Sequence, residues 1–259
     1  MKLHTCLFAL LSAVACAPVD ALEDTPQAVD DITGGLRDRG RTPAVVALRS
    51  ELGDLCSGSL VGPRLVLTAR HCVSETVDRV ECPSEGPQVL RDLDPSRVEV
   101  TNADDARDFA ALARGVDLVV PEGDSLCGAD LAVLILDREL EGVTPLRLAA
   151  LSRPEAGARV TVVGYGRRGD SSRAGLGERF SRAGVRVLEA GGAEFTTGAS
   201  GCAGDSGGPA LEPETGRVLG VVSRGGARCA GPDARLVFTR AGMASRLVAA
   251  ARQRLLARR

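Results

Sequence analysis

Short apolar stretches separated by polar turns run through most of the chain from residue 32 onward. The stretches are about three to six residues long, and the turns are rich in Gly, Pro, Asp and Arg. Strands of this length and spacing are typical of an all-β barrel or sandwich. The stretches are Ala44–Leu48, Leu65–Leu67, Val98–Val100, Leu131–Leu136, Val160–Val163, Val185–Leu188, Val218–Val222 and Leu236–Phe238.

A second pattern covers about residues 243–257, where apolar positions recur at helical spacing with arginines between them. This pattern predicts a C-terminal helix that buries one face. Segment 73–129 is rich in Asp, Arg, Gly and Pro and is expected to carry long loops. The apolar helix positions are Met243, Leu247, Val248, Leu255 and Leu256.

Residues 1–15 combine a basic start with a short apolar run and small residues, which predicts a secretory signal peptide. Ordinary cleavage would follow Ala13-Val14-Ala15. The run Leu11–Cys16 also resembles a lipobox, in which Cys16 is lipidated and anchors the protein to a membrane. Both modes stay open. Residues 16–31 are acidic and aperiodic, and they are expected to be a propeptide or tether.

Composition narrows the class of partner. Hydrophobic residues make up 44% of the 259 positions, charged residues 25%, and the net charge is −2, so we expect no nucleic-acid partner. Nearly all the basic residues are arginine, Lys2 being the only lysine, and tryptophan is absent. Together with abundant alanine, this bias indicates a GC-rich bacterial source.

Cysteine parity agrees with export. Of eight cysteines, Cys6 would leave with the signal peptide, and Cys16 would carry lipid or be lost with the propeptide. An even set remains, which can pair completely in an oxidising compartment. We therefore expect a secreted or periplasmic protein, with membrane contact only through a lipid on Cys16. The remaining cysteines are Cys56, Cys72, Cys82, Cys127, Cys202 and Cys229.

The run Gly204–Pro209 places Ser206 between glycines, as in two unrelated hydrolase designs. The α/β-hydrolase design needs a histidine after the serine, and none follows Ser206. The chain has only His4, in the signal peptide, and His71. A base for Ser206 must therefore be His71. Taken alone, His71 could equally be a core residue or a zinc ligand, although no C-x-x-C pair supports zinc.

Six short motifs in order resemble those of the trypsin/chymotrypsin-like serine peptidases, across nearly all of residues 32–257. They resemble the mature start I-V-G-G, C-G-G-S-L, the histidine box T-A-A-H-C, the aspartate box D-I-A-L-L, the G-W-G turn and the serine box. In this chain they are Ile32–Gly35, Cys56–Leu60, Leu67–Cys72, Asp130–Leu134, Val163–Gly166 and Gly204–Pro209.

The resemblance implies two six-stranded antiparallel β-barrels, about residues 32–145 and 146–242, followed by the helix. It implies a catalytic triad of His71, Asp130 and Ser206, with the N–H groups of Gly204 and Ser206 forming an oxyanion hole. We therefore expect a serine endopeptidase that acts on peptides or proteins, needs no cofactor or metal and is monomeric. The competing hypothesis is an inactive binding protein of the same fold at the cell surface.

The resemblance also implies disulfides Cys56–Cys72 and Cys202–Cys229, and elimination leaves Cys82–Cys127. It places Ser200 at the base of the specificity pocket, where members that cut after Lys or Arg carry aspartate. A neutral pocket narrowed by a leucine would favour small or medium apolar residues. The other wall residues implied are Ser223, Gly225 and Leu236.

Activation is expected to follow the family pattern, in which a new N-terminus inserts and its ammonium pairs with the aspartate before the nucleophile. Here those groups would be Ile32 and Asp205. The bond to be cut is Asp31–Ile32. An acidic residue before that bond predicts a processing protease that tolerates acidic residues, or an unconventional route.

Overall fold

The structure is a computed structural model that describes residues 35–84, 86–170, 175–226 and 228–258. The predicted signal peptide, the predicted tether, Cys16 and Ile32 lie outside these residues. The described residues form fifteen strands and one α-helix. They are β1 Leu36–Arg37, β2 Val45–Arg49, β3 Leu55–Gly62, β4 Leu65–Thr68, β5 Ser74–Thr76, β6 Val89–Asp92, β7 Glu99–Thr101, β8 Ala113–Val119, β9 Ala132–Leu136, β10 Arg159–Gly164, β11 Phe180–Gly191, β12 Glu194–Thr197, β13 Pro209–Leu211, β14 Val218–Gly225, β15 Leu236–Arg240 and α1 Ser245–Ala257.

The first half of the chain closes into a barrel with strand order β2-β3-β4-β9-β8-β7 and antiparallel pairing. All five residues of β9 are buried. A strand buried on both faces reads as a continuous apolar run, as Ala132–Leu136 does. The outer side of this barrel packs against α1, which contacts β8 and β9. The segment between β4 and β7 carries a separate pair of short strands, β5 and β6.

The second barrel has the strand order β11-β10-β13-β14-β15-β12 and closes through pairing of β11 with β12. Phe195 and Phe238 stack inside it, with ring centroids 4.8 Å apart. The prediction of two six-stranded antiparallel barrels is confirmed. The short strand β1 adds to the edge of β11, so the beginning of the described chain is attached to the second barrel before the first barrel starts.

The predicted C-terminal helix is present as α1, preceded by a 3-10 turn at Ala241–Ala244. Val248 and Ala251 are its buried positions, which pack on the first barrel. No helix in the described ranges is long and apolar enough to cross a bilayer.

Three disulfides join the loops of the fold: Cys56–Cys72, Cys82–Cys127 and Cys202–Cys229. They are the three pairs expected from the sequence. The first joins β3 to the 3-10 turn that carries His71, and the third joins the loop of Ser206 to the chain after β14. The second, Cys82–Cys127, closes a loop of the chain that lies after β4 and before β9 of the first barrel. Bonds of this kind persist in oxidising compartments, which fits an extracellular protein.

Candidate active site

The register of the first barrel brings His71 and Asp130 together. Thr68, the last residue of β4, pairs with Ala132, the first residue of β9. His71 follows the end of β4 in a 3-10 turn, and Asp130 precedes the start of β9, so both lie at one end of the barrel. His71 Nδ1 is 2.8 Å from Asp130 Oδ2, and the His71 backbone N–H donates to Asp130 Oδ1 at 3.1 Å.

A third donor fixes the aspartate. The hydroxyl of Ser223, on β14, donates to Asp130 Oδ2 at 2.7 Å. The sequence placed Ser223 on the wall of the substrate pocket, whereas its hydroxyl supports Asp130. A buried carboxylate with three such donors stays ionised and holds the imidazole in one orientation.

Charge and burial oppose each other at this pair. Burial lowers the pKa of His71, but the Asp130 carboxylate and its hydrogen bond outweigh burial, and the net pKa lies above its ordinary value. Burial likewise raises the pKa of Asp130, and the His71 charge together with the three hydrogen bonds brings it below its ordinary value. Both directions favour an imidazolium next to a carboxylate.

Ser206 lies in a tight turn just before β13. The carbonyl of Ser206 accepts from the Ser57 N–H at 2.7 Å, and the Gly207 N–H donates to Val222 O at 2.8 Å. Gly207 has a φ of +80°, and a Cβ there would lie 2.1 Å from Thr68 Oγ1. Only glycine fits at position 207 in this turn. The turn packs closely between residues of the first barrel and residues of the second barrel.

Two backbone N–H groups of this loop are unused. Across the described residues, the N–H groups of Gly204 and Ser206 donate to no protein acceptor, although the neighbouring N–H of Asp205 bonds to Cys202 O. Gly204 has a φ of +103°, which glycine adopts readily. Two free donors beside a serine hydroxyl can bind an oxyanion, and removing one such donor typically costs about 3–4 kcal/mol of transition-state stabilisation.

The serine and the imidazole are not yet hydrogen-bonded. Within the described residues no hydrogen bond joins Ser206 Oγ to His71, whose Nε2 lies 3.7 Å from Cys72 Sγ. Such bonds are often long in unliganded enzymes and shorten when substrate binds. Cys56, Cys72 and His71 lie close together, but the two sulfurs form a disulfide and provide no thiolate ligand for zinc.

Ser57 connects this loop to the first barrel and was missed by the sequence analysis. Its fully buried hydroxyl donates to Gly204 O at 2.8 Å and accepts from the Tyr165 N–H at 3.0 Å. The only available signal was a serine where the resembling motif C-G-G-S-L has its first glycine. Ser57 thereby holds the peptide that follows the free Gly204 N–H.

Asp205 is fully buried between the serine loop and the turn at Gly164–Gly166. Its carboxylate accepts from the N–H groups of Gly166 and Cys202, each at 2.8 Å. Burial raises its pKa to about 6, against the lowering effect of these two bonds. No cationic side chain in the described ranges pairs with it. Ile32, the partner expected from the sequence, lies outside those ranges.

A cavity of about 280 Å³ opens beside Ser206. Leu236 and Gly225 line it, as the sequence predicted. Ser200 does not line it; this residue is fully buried, and its hydroxyl lies 2.7 Å from Thr197 Oγ1. A Cβ on Gly201 would lie 2.8 Å from Leu236 Cδ2, so Leu236 occupies the space above Gly201 and makes the cavity shallow.

Arginines line this cavity, and none of them was predicted from the sequence. Arg224, at the end of β14, lies in the same segment 224–235 as two of the others, whereas Arg167 follows β10, so the full set comes together only in the folded chain. Arg224 is held by Glu194 through two short bonds of 2.6 and 2.7 Å, and Glu194 also accepts from the Gly128 N–H at 2.8 Å. The arginines of the lining are Arg167, Arg224, Arg228 and Arg235, and the one carboxylate is Asp170.

Comparison with known proteins identifies the family. The trypsin family model matches residues 32–248. This chain belongs to the trypsin family. The match covers both barrels and the first residues of α1, so the trypsin-family assignment applies to both barrels.

Two curated relatives are also trypsin-like. The chain is 31% identical over 193 residues to a cercarial protease of Schistosoma mansoni, covering 66% of this chain and 70% of that protein. It is 28% identical over 193 residues to phenoloxidase-activating factor 1 of Holotrichia diomphalia, covering 60% of this chain but only half of that protein. Both relatives are eukaryotic, so the bacterial source inferred from composition has no support here.

Two solved structures share the fold. Neuropsin, a serine protease from mouse brain, aligns with a TM-score of 0.60 at 20% identity, over 81% of this chain and 94% of that one. The scabies mite inactivated protease paralogue S-I1 aligns with a TM-score of 0.63 at 22% identity, over 84% and 98%. At these identities the two alignments establish the trypsin-like fold and nothing finer.

Proposed function

We propose that the protein is a serine endopeptidase in which Ser206 is the nucleophile, His71 the general base and acid, and Asp130 the residue that orients His71. The observation that carries this proposal is the His71–Asp130 pair at 2.8 Å, buttressed by Ser223, beside a serine loop with two unused N–H donors. Membership of the trypsin family supports hydrolysis of peptide or protein substrates.

In the proposed reaction, neutral His71 takes the Ser206 proton as Ser206 Oγ attacks the scissile carbonyl. The N–H groups of Gly204 and Ser206 bind the developing oxyanion. The imidazolium, stabilised by Asp130, returns the proton to the leaving amine, and an acyl-enzyme remains. A water molecule, deprotonated by His71, then hydrolyses the acyl-enzyme by the same steps.

The proposal includes activation by cleavage of Asp31–Ile32. The new ammonium of Ile32 would pair with Asp205, whose carboxylate is buried with two backbone donors and no described cation. An ammonium there would offset the desolvation that raises the Asp205 pKa. N-terminal sequencing of the active form tests this step, and a start far from Ile32 would contradict it.

We also propose that the protein is exported, in one of two forms. Cleavage after Ala15 would give a secreted protein, and lipidation of Cys16 would give an anchored one. The intact mass of the form recovered from culture medium or membranes separates the two, since a lipidated Cys16 adds the mass of its acyl chains.

The competing function is binding without catalysis. Labelling with a fluorophosphonate probe, which reacts with an activated serine, distinguishes the two functions in wild type, Ser206→Ala and the control Ser50→Ala, a surface serine. We expect labelling of wild type and the control, and none of Ser206→Ala. If none of the three proteins is labelled after cleavage before Ile32, the binding function is favoured. Equal labelling of all three would place the nucleophile elsewhere.

A further inference from the structure

We propose that the cavity beside Ser206 binds the side chain of an aspartate or glutamate, so that the enzyme cleaves after acidic residues and can process its own Asp31–Ile32 bond. This inference rests on the proposed peptidase function and deepens it. It keeps the small or medium size expected from the sequence and replaces the apolar preference with a carboxylate.

The first support is the charge of the cavity. Among the described residues, four arginines line it against one carboxylate, Asp170. Glu194, outside the lining, neutralises Arg224 through the two-bond contact described above. Four guanidinium groups therefore face two carboxylates, which leaves an excess of two positive charges next to the nucleophile. A lysine or arginine side chain of a substrate would be repelled there.

The second support is an unsatisfied guanidinium. Arg167 is half-buried, its Nε is buried without a hydrogen-bond partner, and among the described residues it forms no ion pair. Arg167 is fixed next to the oxyanion loop, because its backbone N–H donates to Ala203 O at 2.9 Å. A buried guanidinium nitrogen without an acceptor is costly, and a carboxylate that enters the cavity would form the charge-assisted bond that Nε lacks.

Two further arginines at the cavity have weak or neutral partners. Arg235 Nη1 donates only to the carbonyls of Pro232 and Ala234, at 2.8 and 2.9 Å. Arg228 is 75% exposed and lies 3.5 Å from Asp170, which is a loose contact. Among the described residues no carboxylate therefore pairs with Arg235, and Arg228 can turn toward a substrate carboxylate at little cost.

The third support is the size of the cavity. The cavity has a volume of about 280 Å³, and Leu236 occupies the space above Gly201. An aspartate or glutamate is short enough to place its methylene groups near Leu236 while its carboxylate reaches the arginines. An apolar side chain of the same size would leave Arg167 unpaired.

The sequence supplies an independent observation. The bond whose cleavage would create the Ile32 terminus follows Asp30-Asp31. A protease that accepts acidic residues before the scissile bond is required there, and this cavity has that chemistry. A copy of the same chain that has already been cleaved can therefore act as the activator.

A substrate-profiling experiment tests the specificity. The full-length chain, after maturation, is titrated with the fluorophosphonate probe and assayed on peptides that differ only at the residue before the scissile bond. We expect kcat/KM at least 10-fold higher for Glu or Asp than for Ala, Leu or Arg. In Arg167→Gln/Arg235→Gln the ratio should fall to 3-fold or less, and in Arg246→Gln, an exposed arginine on α1, it should not change.

The outcomes separate the specificity from the peptidase function. If the probe labels the protein, two results would overturn the specificity alone. One is a preference for apolar or basic residues before the scissile bond, and the other is an acidic preference that the double variant leaves unaltered. Absence of labelling would overturn the peptidase function itself.

Self-processing has its own test. Full-length Ser206→Ala, which cannot cleave itself, is incubated with active wild type, and the product is sequenced from its N-terminus. We expect a product that begins at Ile32, formed at least 10-fold more slowly when the substrate also carries Asp31→Ala. An uncleaved substrate, or equal rates for the two substrates, would overturn self-processing.

Discussion

Replacing Asp205 by asparagine should change how stability depends on pH, and the change should differ between the uncleaved and cleaved chains. Burial raises the Asp205 pKa from 3.8 to about 6 in the described fold. A shift of about 2 units corresponds to about 3 kcal/mol between the two protonation states. Because the folded-state pKa is raised, Asp205 contributes stability that is fully present below about pH 4 and lost as the pH rises through about 6.

The measurement is urea unfolding of full-length chains at several pH values between 4 and 7. A Ser206→Ala background prevents self-cleavage. Both Asp205 oxygens accept N–H groups, so the asparagine NH₂ must face one donor and adds a penalty that does not vary with pH. The informative quantity is therefore the pH dependence: relative to Asp205→Asn, the parent should lose about 2 kcal/mol of unfolding free energy between pH 4 and 7.

The cleaved chain is the decisive comparison. If the Ile32 ammonium reaches Asp205, it favours the carboxylate, and the pH-dependent loss should largely disappear. Asp108→Asn, at an exposed aspartate, is the matched control and should show no comparable slope. If the unfolding free energies of the parent and of Asp205→Asn changed in parallel with pH, the burial argument would be refuted. If the parent showed the same pH slope before and after cleavage, insertion of Ile32 would be refuted.

Three further predictions follow from the site and its loops. Since the proposed mechanism needs neutral His71 and the pKa of His71 is raised, kcat/KM should increase with pH through a single ionisation above 6.5. Ser57→Gly, which removes the bond to Gly204 O, should lower kcat about 10-fold with KM little changed, and Ser57→Thr should recover part of it. Removing the Cys82–Cys127 disulfide, which spans 45 residues, should lower the urea-unfolding free energy by about 4 kcal/mol and leave kcat unchanged.

Much of this fold could be predicted from local pattern. The apolar run Leu131–Leu136 became the fully buried β9, and the helical spacing near residue 250 became α1. β11 was harder, because only Val185–Leu188 reads as an apolar run, while the strand extends from Phe180 to Gly191 with many exposed positions. A long strand that is partly exposed is stabilised by its three neighbouring strands, which local sequence does not reveal.

The site divides in the same way. His71, Asp130 and Ser206 could be proposed as the triad from the sequence, because each lies in a motif whose residue types the proposed chemistry requires. The lining of the cavity could not, since Arg167 and Arg235 lie in different loops and meet only through barrel packing. Ser200 was expected at the base of the cavity because it lies six residues before Ser206. The residue is buried, but it packs against Thr197 and does not line the cavity.

The short strand β1 has a consequence for the kinetics of maturation. Leu36 and Arg37 pair with Ser181 and Phe180 on the second barrel, so the chain is anchored four residues after Ile32. Four residues reach at most about 14 Å. The Ile32 ammonium, tethered to β1 by so short a segment, therefore has an effective concentration at Asp205 on the order of millimolar or more. Docking of a freed Ile32 terminus would thus be a unimolecular step, independent of protein concentration. A free dipeptide such as Ile-Thr would compete with it only at comparable concentrations.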